Sequence, residues 1–280
     1  MRIIRSIKEM LKFIRENRRK GRSIGFVPTM GALHKGHLSL IRQAHKDNDV
    51  LVVSIFVNPA QFAPSEDLKK YPRNLKRDAQ LCKQEGVDII FYPDAKEMYP
   101  ANYRTYLTVE KLSGVLCGKS RPGHFKGVAT VVAKLFNTIN PDVAYFGQKD
   151  AQQAIIIKRM VADLNLPVEI KVMPTLREKD GLALSSRNVY LSKQERKDAV
   201  VLSQSLNMAK YLIKKRILDS RKIIKKMNEL IKEKKTAKID YISIVDLKNL
   251  EPIKRINDSC LIALAVWIGK TRLIDNTIIK

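Results

Sequence analysis

The chain has 280 residues, 45% of them hydrophobic, and a formal net charge of +25. No apolar run approaches the roughly 20 residues a bilayer span needs, and three scattered cysteines, Cys82, Cys117 and Cys260, suit neither a disulfide framework nor a zinc cluster. The N-terminus, Met1-Arg2-Ile3-Ile4-Arg5, has no long apolar segment and no small-residue cleavage site, so a reduced, cytoplasmic protein without a signal peptide is expected.

Residues 1–20 read as a helix with Ile4, Ile7, Leu11 and Ile14 on one side. Apolar strands are expected at 24–28, 50–57, 88–92, 142–146 and 168–173, and helices at 36–47, 74–86, 125–139 and 150–164. Strands alternating with helices imply a parallel sheet covered on both faces, a Rossmann-like α/β fold. After Pro174 the pattern changes. A loop, TLREKDGLALSSRN, leads to helical stretches at about 193–216 and 219–235, then to strands at 239–246 and 260–267. This predicts a smaller α+β domain, with the boundary near 172–180, so that residues 1–174 form one domain and 175–280 the other.

The charge has two readings. Nucleic acid would be held through its phosphates, whereas a lysine-rich surface dissolves the protein and steers anions. The basic residues are dispersed, two of their runs lie in helical stretches, and aromatic content is only 6%. The second reading is preferred, and no nucleic-acid or membrane partner is expected.

The most informative segment is Pro28 to His37, PTMGALHKGH. It puts His34 and His37 where a strand turns into a helix. Gly31 allows the bend, and Gly36 is expected to let the backbone approach a ligand. A helix N-terminus offers free N–H groups and partial positive charge to phosphate. Four other segments fall at strand ends or loops. Asn58 and Gln61, around the strand-ending Pro59, present amides suited to a small ligand's hydroxyl or carboxylate. Gly147-Gln148-Lys149-Asp150 pairs a glycine turn with a lysine point charge, a cap candidate in Asp150, and Gln153 one turn on. Ser185, Ser186 and Arg187 offer two hydroxyls and a cationic fork for a triphosphate, in a loop that suits a lid. Arg121 and His124 stand at a helix entrance where they suit a carboxylate. Taken singly, each of these four is also explained by turn, cap or linker chemistry.

Together the segments PTMGALHKGH, SIFVNPAQF, SRPGHFKGV, FGQKD followed by a glutamine pair, DGLALSSRN and TRLIDN run nearly end to end in this chain. In that order they resemble the pantothenate synthetase (pantoate–β-alanine ligase) family of the H-x-G-H nucleotidylyl transferases. The resemblance implies a Rossmann-like catalytic domain, a C-terminal lid domain and a homodimer. It implies a two-step reaction: pantoate is adenylated by ATP with magnesium, and β-alanine then captures the acyl group to give pantothenate and AMP. It implies that Met30, Gly31, Ala32, Leu33, His34, Lys35, Gly36 and His37 line the nucleotide site, with His34 and His37 on the phosphates and His37 as the assigned proton donor. Gly147, Gln148, Lys149, Asp150, Leu176, Leu184, Ser185, Ser186 and Arg187 would bind ATP. Lys149, Ser185, Ser186 and Arg187 would stabilise developing charge. Gln61 would hold pantoate and β-alanine, and Gln153 pantoate. Magnesium would be held mostly by phosphate oxygens and water, since no carboxylate cage is visible. The chain departs from the family's usual residues at Ala63, Ala151 and Leu176, which bears on pocket shape rather than on reaction type. A nucleotidyltransferase that stops at an activated product is the alternative, but it leaves the Asn58, Gln61 and Gln153 set without a purpose.

Overall fold

Arg2–Ile4 forms a short strand, β1, in parallel register with Ile89–Phe91, and the first helix, α1, runs from Ile7 to Arg19. The single helix expected over 1–20 is therefore two elements. Ile4 is fully buried as a strand residue, and Ser6 caps the helix by accepting the N–H of Glu9 at 3.2 Å. The buried line of α1 is Met10, Ile14 and Asn17. The structure is a computed structural model, and it describes residues 1–63, 66, 68 and 70–280.

Strands and helices then alternate: β2 (Ile24–Thr29), α2 (Lys35–Asp47), β3 (Val50–Ile55), α3 (Leu75–Gln84), β4 (Ile89–Phe91), α4 (Ala95–Met98), α5 (Cys117–Ser120), α6 (His124–Ile139), β5 (Val143–Gly147), α7 (Ala151–Asp163) and β6 (Glu169–Met173). The six strands make one parallel sheet in the order β1-β4-β3-β2-β5-β6. Its centre is apolar on both faces, which is why β3 reads VLVVSI without alternation. Val50 and Val52 join the core made with α1, α6 and α7, whereas Leu51, Val53 and Ile55 join Ile41 and Ala44 of α2 and Cys82 of α3. The strand order reverses at β2, which has β3 on one side and β5 on the other. The carboxyl ends of β2 and β5 therefore open the crevice where such sheets take ligands.

The second part holds α8 (Lys193–Asp198), α9 (Val201–Lys214), α10 (Ser220–Lys232) and an antiparallel sheet of β7 (Ala237–Asp246), β8 (Cys260–Ile268) and β9 (Thr271–Ile279). The helix expected over 193–216 is broken at Ala199-Val200, where Leu202 donates to Ala199 at 3.3 Å, a three-residue step in a four-residue ladder. β9 was not expected as a strand, because Asp275, Asn276 and Thr277 are buried polar residues that spoil an apolar alternation. It pairs along its whole length with β8 through the two-residue turn Gly269-Lys270. β8 is buried on both faces: Ile262, Leu264 and Val266 pack with α9 and α10, and Leu261 and Ala263 join the core of the first part. The expected Rossmann-like sheet with helices on both faces and the smaller α+β part are both present.

Candidate active site

The loop from β2 to α2 is held in an unusual backbone path. Gly31 has φ +82° and Ala32 φ +49°, a region that costs an alanine free energy. The Asp78 carboxylate on α3 offsets that cost. It is almost wholly buried and accepts the N–H of Ala32 at 2.8 Å and of Leu33 at 2.9 Å. Arg77 donates to the Leu33 carbonyl at 3.1 Å. The loop is thereby fixed before any ligand arrives.

His34 is the N-cap of α2, and its Nδ1 accepts the N–H of Gly36 at 3.1 Å. His37 Nδ1 accepts the N–H of His34 at 3.4 Å. The two rings lie 4.1 Å apart, tilted by 32°. Because both Nδ1 atoms accept, each neutral ring carries its proton on Nε2 and presents a donor. Burial, reinforced by Lys149, holds the His34 pKa down to about 4. Burial, then His34 and Lys149, holds His37 down to about 3. Gly36 also serves the cap: a Cβ there would meet the His34 ring at 2.9 Å, so the glycine makes room for the capping imidazole.

A cleft of about 240 Å³ opens at this point. It is lined by Met30, His34, Gly36 and His37, by Gly147, Lys149, Asp150 and Gln153 at the end of β5, by Gln61, Arg121 and His124, and by Leu176, Leu184, Ser185, Ser186 and Arg187. Six separate sequence segments thus converge. Gly31, Ala32, Leu33, Lys35, Gln148 and Asn58 do not line it: Leu33 is fully buried, Lys35 is exposed, and Gly31 lines a neighbouring cavity. Cationic side chains outnumber the one carboxylate, Asp150, among the cleft's lining residues, which suits a polyanion.

Gln148–Asp150 is a single 3-10 turn, and α7 begins at Ala151. Asp150 occupies the N-cap position but makes no capping hydrogen bond with its side chain. The turn is held from the second part of the chain instead. Asn276 Nδ2 donates to the carbonyls of Gln148 and Lys149, both at 2.9 Å. The loop at 176–187 is similarly pinned. Arg177 grips the buried Asp275 through two hydrogen bonds of 2.6 and 2.8 Å. Leu184 donates to Leu176 at 3.0 Å, and Ser185 Oγ caps the turn that follows by accepting the N–H of Arg187 at 3.3 Å.

A side cavity of about 60 Å³ adjoins the cleft and shares Pro28, Thr29, Gln61, Phe146 and Gln153 with it. Its remaining walls are Ser54, Phe56, Asn58, Val128, Val131, Val132 and Leu135. The Asn58 amide does not face a ligand with free groups. Its Nδ2 donates to Gln61 Oε1 at 3.2 Å and to the Gly127 carbonyl at 3.1 Å, and its Oδ1 accepts from Tyr99 at 2.8 Å. Asn58 therefore aims Gln61. Arg121 and His124 are also engaged. Arg121 makes a two-pronged pair with Glu66 at 2.6 and 2.9 Å, and its Nη1 lies 3.0 Å from His124 Nε2. His124 Nδ1 donates to the Gln61 carbonyl at 2.8 Å. Burial holds its pKa down to about 4, with Arg121 acting in the same direction.

Asp78, Asn276, Glu66 and Ser54 were not singled out from the sequence. Asn276 and Ser54 stood within quoted motifs, TRLIDN and SIFVNPAQF. The others act on backbone or on neighbouring side chains, and nothing in local spacing marks that.

The model of the pantoate-beta-alanine ligase family matches residues 2–278 of the chain. The pantothenate synthetase of Caldicellulosiruptor saccharolyticus is 55% identical over 99% of both chains, and that of Acetivibrio thermocellus is 55% identical over the full length of both. The crystal structure of pantothenate synthetase from Thermus thermophilus superposes with a TM-score of 0.94 at 42% identity, covering 99% of each chain. A pantoate-beta-alanine ligase from Francisella tularensis, solved with Beta-gamma ATP and Beta-alanine, gives 0.82 at 38% identity over 99% of this chain and 97% of that one. A whole-length family match and an end-to-end fold match agree with the six converging segments, and the chain belongs to the pantoate-beta-alanine ligase family.

Proposed function

We propose that the chain condenses (R)-pantoate with β-alanine to pantothenate, using ATP and releasing AMP and pyrophosphate. One observation carries this reading: a cationic cleft with two Nε2–H donors is continuous, past Gln61 and Gln153, with a small cavity walled mainly by apolar side chains. The cleft suits the nucleotide. The cavity suits a short branched acid whose carboxylate faces back toward the α-phosphate.

In the first step a pantoate carboxylate oxygen attacks the α-phosphorus, and the bond to the pyrophosphate oxygen breaks. His34, His37, Lys149, Ser185, Ser186 and Arg187 are the residues that would meet the developing charge. Their value is that they are fixed before the reaction. Imidazoles held neutral at physiological pH act here as hydrogen-bond donors rather than as acids. In the second step the β-alanine amine attacks the acyl carbon and AMP leaves. Gln61 and Gln153 would orient pantoate, and Gln61 would also reach β-alanine. Arg121, His124 and Asn58 would serve by holding Gln61 and its loop, with Arg121 released to a substrate carboxylate only if Glu66 yields. The nucleotide site would run from Met30 to His37, from Gly147 to Asp150, and over Leu176 and Leu184 to Arg187. In this assignment Ala32, Leu33 and Lys35 contribute backbone.

Among the described residues no group of three or more histidine, cysteine, aspartate or glutamate side chains comes together. Magnesium would therefore be carried by phosphate oxygens and water, with Asp150 the carboxylate at hand; its contribution is to neutralise phosphate charge. The reading extends to a catalytic domain over 1–174, a C-terminal lid domain over 175–280, a homodimer, and a cytoplasmic enzyme. No helix among the described residues is long and apolar enough to cross a membrane.

The test is product analysis by mass spectrometry with ATP, magnesium, pantoate and β-alanine, omitting each in turn. Pantothenate and AMP are expected only in the full mixture, and pyrophosphate with ATP and pantoate alone. Pyrophosphate without pantothenate would replace the amine substrate. No pyrophosphate would overturn the reading.

A further inference from the structure

β3 is apolar at every position but one. Ser54, its fifth residue, is wholly buried on the face packed against α6. Its carbonyl is used, accepting from Thr29 Oγ1 at 2.7 Å. Its hydroxyl has no hydrogen-bond partner. A buried hydroxyl without a partner costs free energy that an alanine at the same place would not. Ser54 lines the side cavity and not the cleft, together with Val128, Val131, Val132 and Leu135. It is thus a lone unsatisfied polar group in the deep, mostly apolar part of a cavity whose mouth is flanked by Gln61 and Gln153.

We infer that Ser54 is a specificity residue for the acid substrate, its hydroxyl hydrogen-bonding the hydroxyl at the far end of the substrate chain. The inference rests on the functional reading above. Pantoate has a carboxylate at C1, a hydroxyl at C2, two methyl groups at C3 and a hydroxyl at C4. The carboxylate must face the cleft, where the phosphates lie, which keeps C2 near the glutamine amides at the mouth. The methyl groups then meet the valines, and the C4 hydroxyl reaches the floor, where Ser54 waits. A site built to bond a hydroxyl discriminates strongly against the analogue that lacks it, because its own polar group is left unpaired.

The experiment compares wild type and Ser54→Ala on pantoate and on 2-hydroxy-3,3-dimethylbutanoate, which lacks only the C4 hydroxyl, by ATP-dependent pyrophosphate release. Wild type is expected to favour pantoate by about a hundredfold or more in kcat/KM. Ser54→Ala is expected to raise KM for pantoate about tenfold with kcat nearly unchanged, and to lose most of that preference. The ligand-free variant is expected to melt at the wild-type temperature or above, since a stranded hydroxyl is removed. A variant that keeps the wild-type preference overturns the inference, and means that ordered water or the packing alone accounts for the serine. A wild-type enzyme active on pantoate but indifferent to the C4 hydroxyl overturns the inference and leaves the functional reading standing. A wild-type enzyme that releases no pyrophosphate with pantoate overturns both.

Discussion

Asp78 and Ala32 meet at 2.8 Å, carboxylate to backbone N–H, although 46 residues separate them. The same carboxylate takes the next N–H, that of Leu33. One buried charge thereby fixes a loop that carries a positive-φ alanine and delivers His34 and His37 to the cleft. Asp78→Asn turns one acceptor into a donor facing an N–H. Leaving such a group unpaired costs about 1–3 kcal/mol. The expected outcome is a lower urea midpoint together with an ATP KM raised about tenfold, and circular dichroism and steady-state kinetics check the two together.

The histidines predict how stability depends on pH. In the unfolded chain an imidazole takes a proton near pH 6.5. In the fold, burial holds His34 down to about 4 and His37 to about 3. As pH falls the unfolded state binds protons first. The contribution is therefore complete above about pH 6.5 and drains away as pH drops toward about 4 for His34 and about 3 for His37, by at most about 1.4 kcal/mol per unit for each ring. His34→Asn keeps an N-cap acceptor and removes one titrating group. Its unfolding free energy, measured by urea titration from pH 7.5 to 4.5, is expected to fall less steeply than that of wild type.

In the proposed reaction His37 would donate from Nε2 without acting as an acid, and a neutral amide can imitate that. His37→Gln is expected to retain more adenylate formation than His37→Ala, by about tenfold. Both should bind ATP within a fewfold of wild type, because the contact matters most as charge develops. Single-turnover pyrophosphate release and equilibrium nucleotide binding separate the two effects. Equal loss in the two variants would mean that the imidazole acts by proton transfer.

Asn276 donates twice to the turn that carries Lys149. Asn276→Leu leaves two carbonyls without their donors while keeping the side chain's bulk. Adenylation kcat is expected to fall at least tenfold with the large sheet intact. Rapid-quench kinetics, with a thermal melt as control, test this.

Much of the fold was legible because its period is simple. Apolar strands such as Val50–Ile55 and amphipathic helices such as Lys35–Asp47 announce themselves by spacing. Two boundaries escaped for local reasons. Ile4 has the spacing of a helix residue but belongs to a strand, and Ser6, three residues before Glu9, is the signal that marks the true start of α1. β9 escaped because Asp275 and Asn276 are buried for Arg177 and for the Gln148–Asp150 turn, not for strand packing. Gln61 and Gln153 line the cleft and the cavity. Arg121 and Asn58 were legible as polar residues near it, but not as residues already engaged by Glu66 and Gln61. Glu66 lies 55 residues from Arg121 and leaves no trace in spacing, whereas Asn58 and Gln61 are three apart and only their mutual bond was hidden. Asp78 and Ser54 sit within ordinary helix and strand patterns and become visible only through what surrounds them.

β8 presents Leu261 and Ala263 to one core and Ile262 and Leu264 to the other. Neither half of the molecule has its apolar surface fully covered without the other. A fragment ending at residue 174 would carry the patch that Leu261 and Ala263 cover into solvent, with the stickiness such patches bring. The two halves are therefore expected to melt together, and pieces cut between them are expected to lack self-sufficient cores.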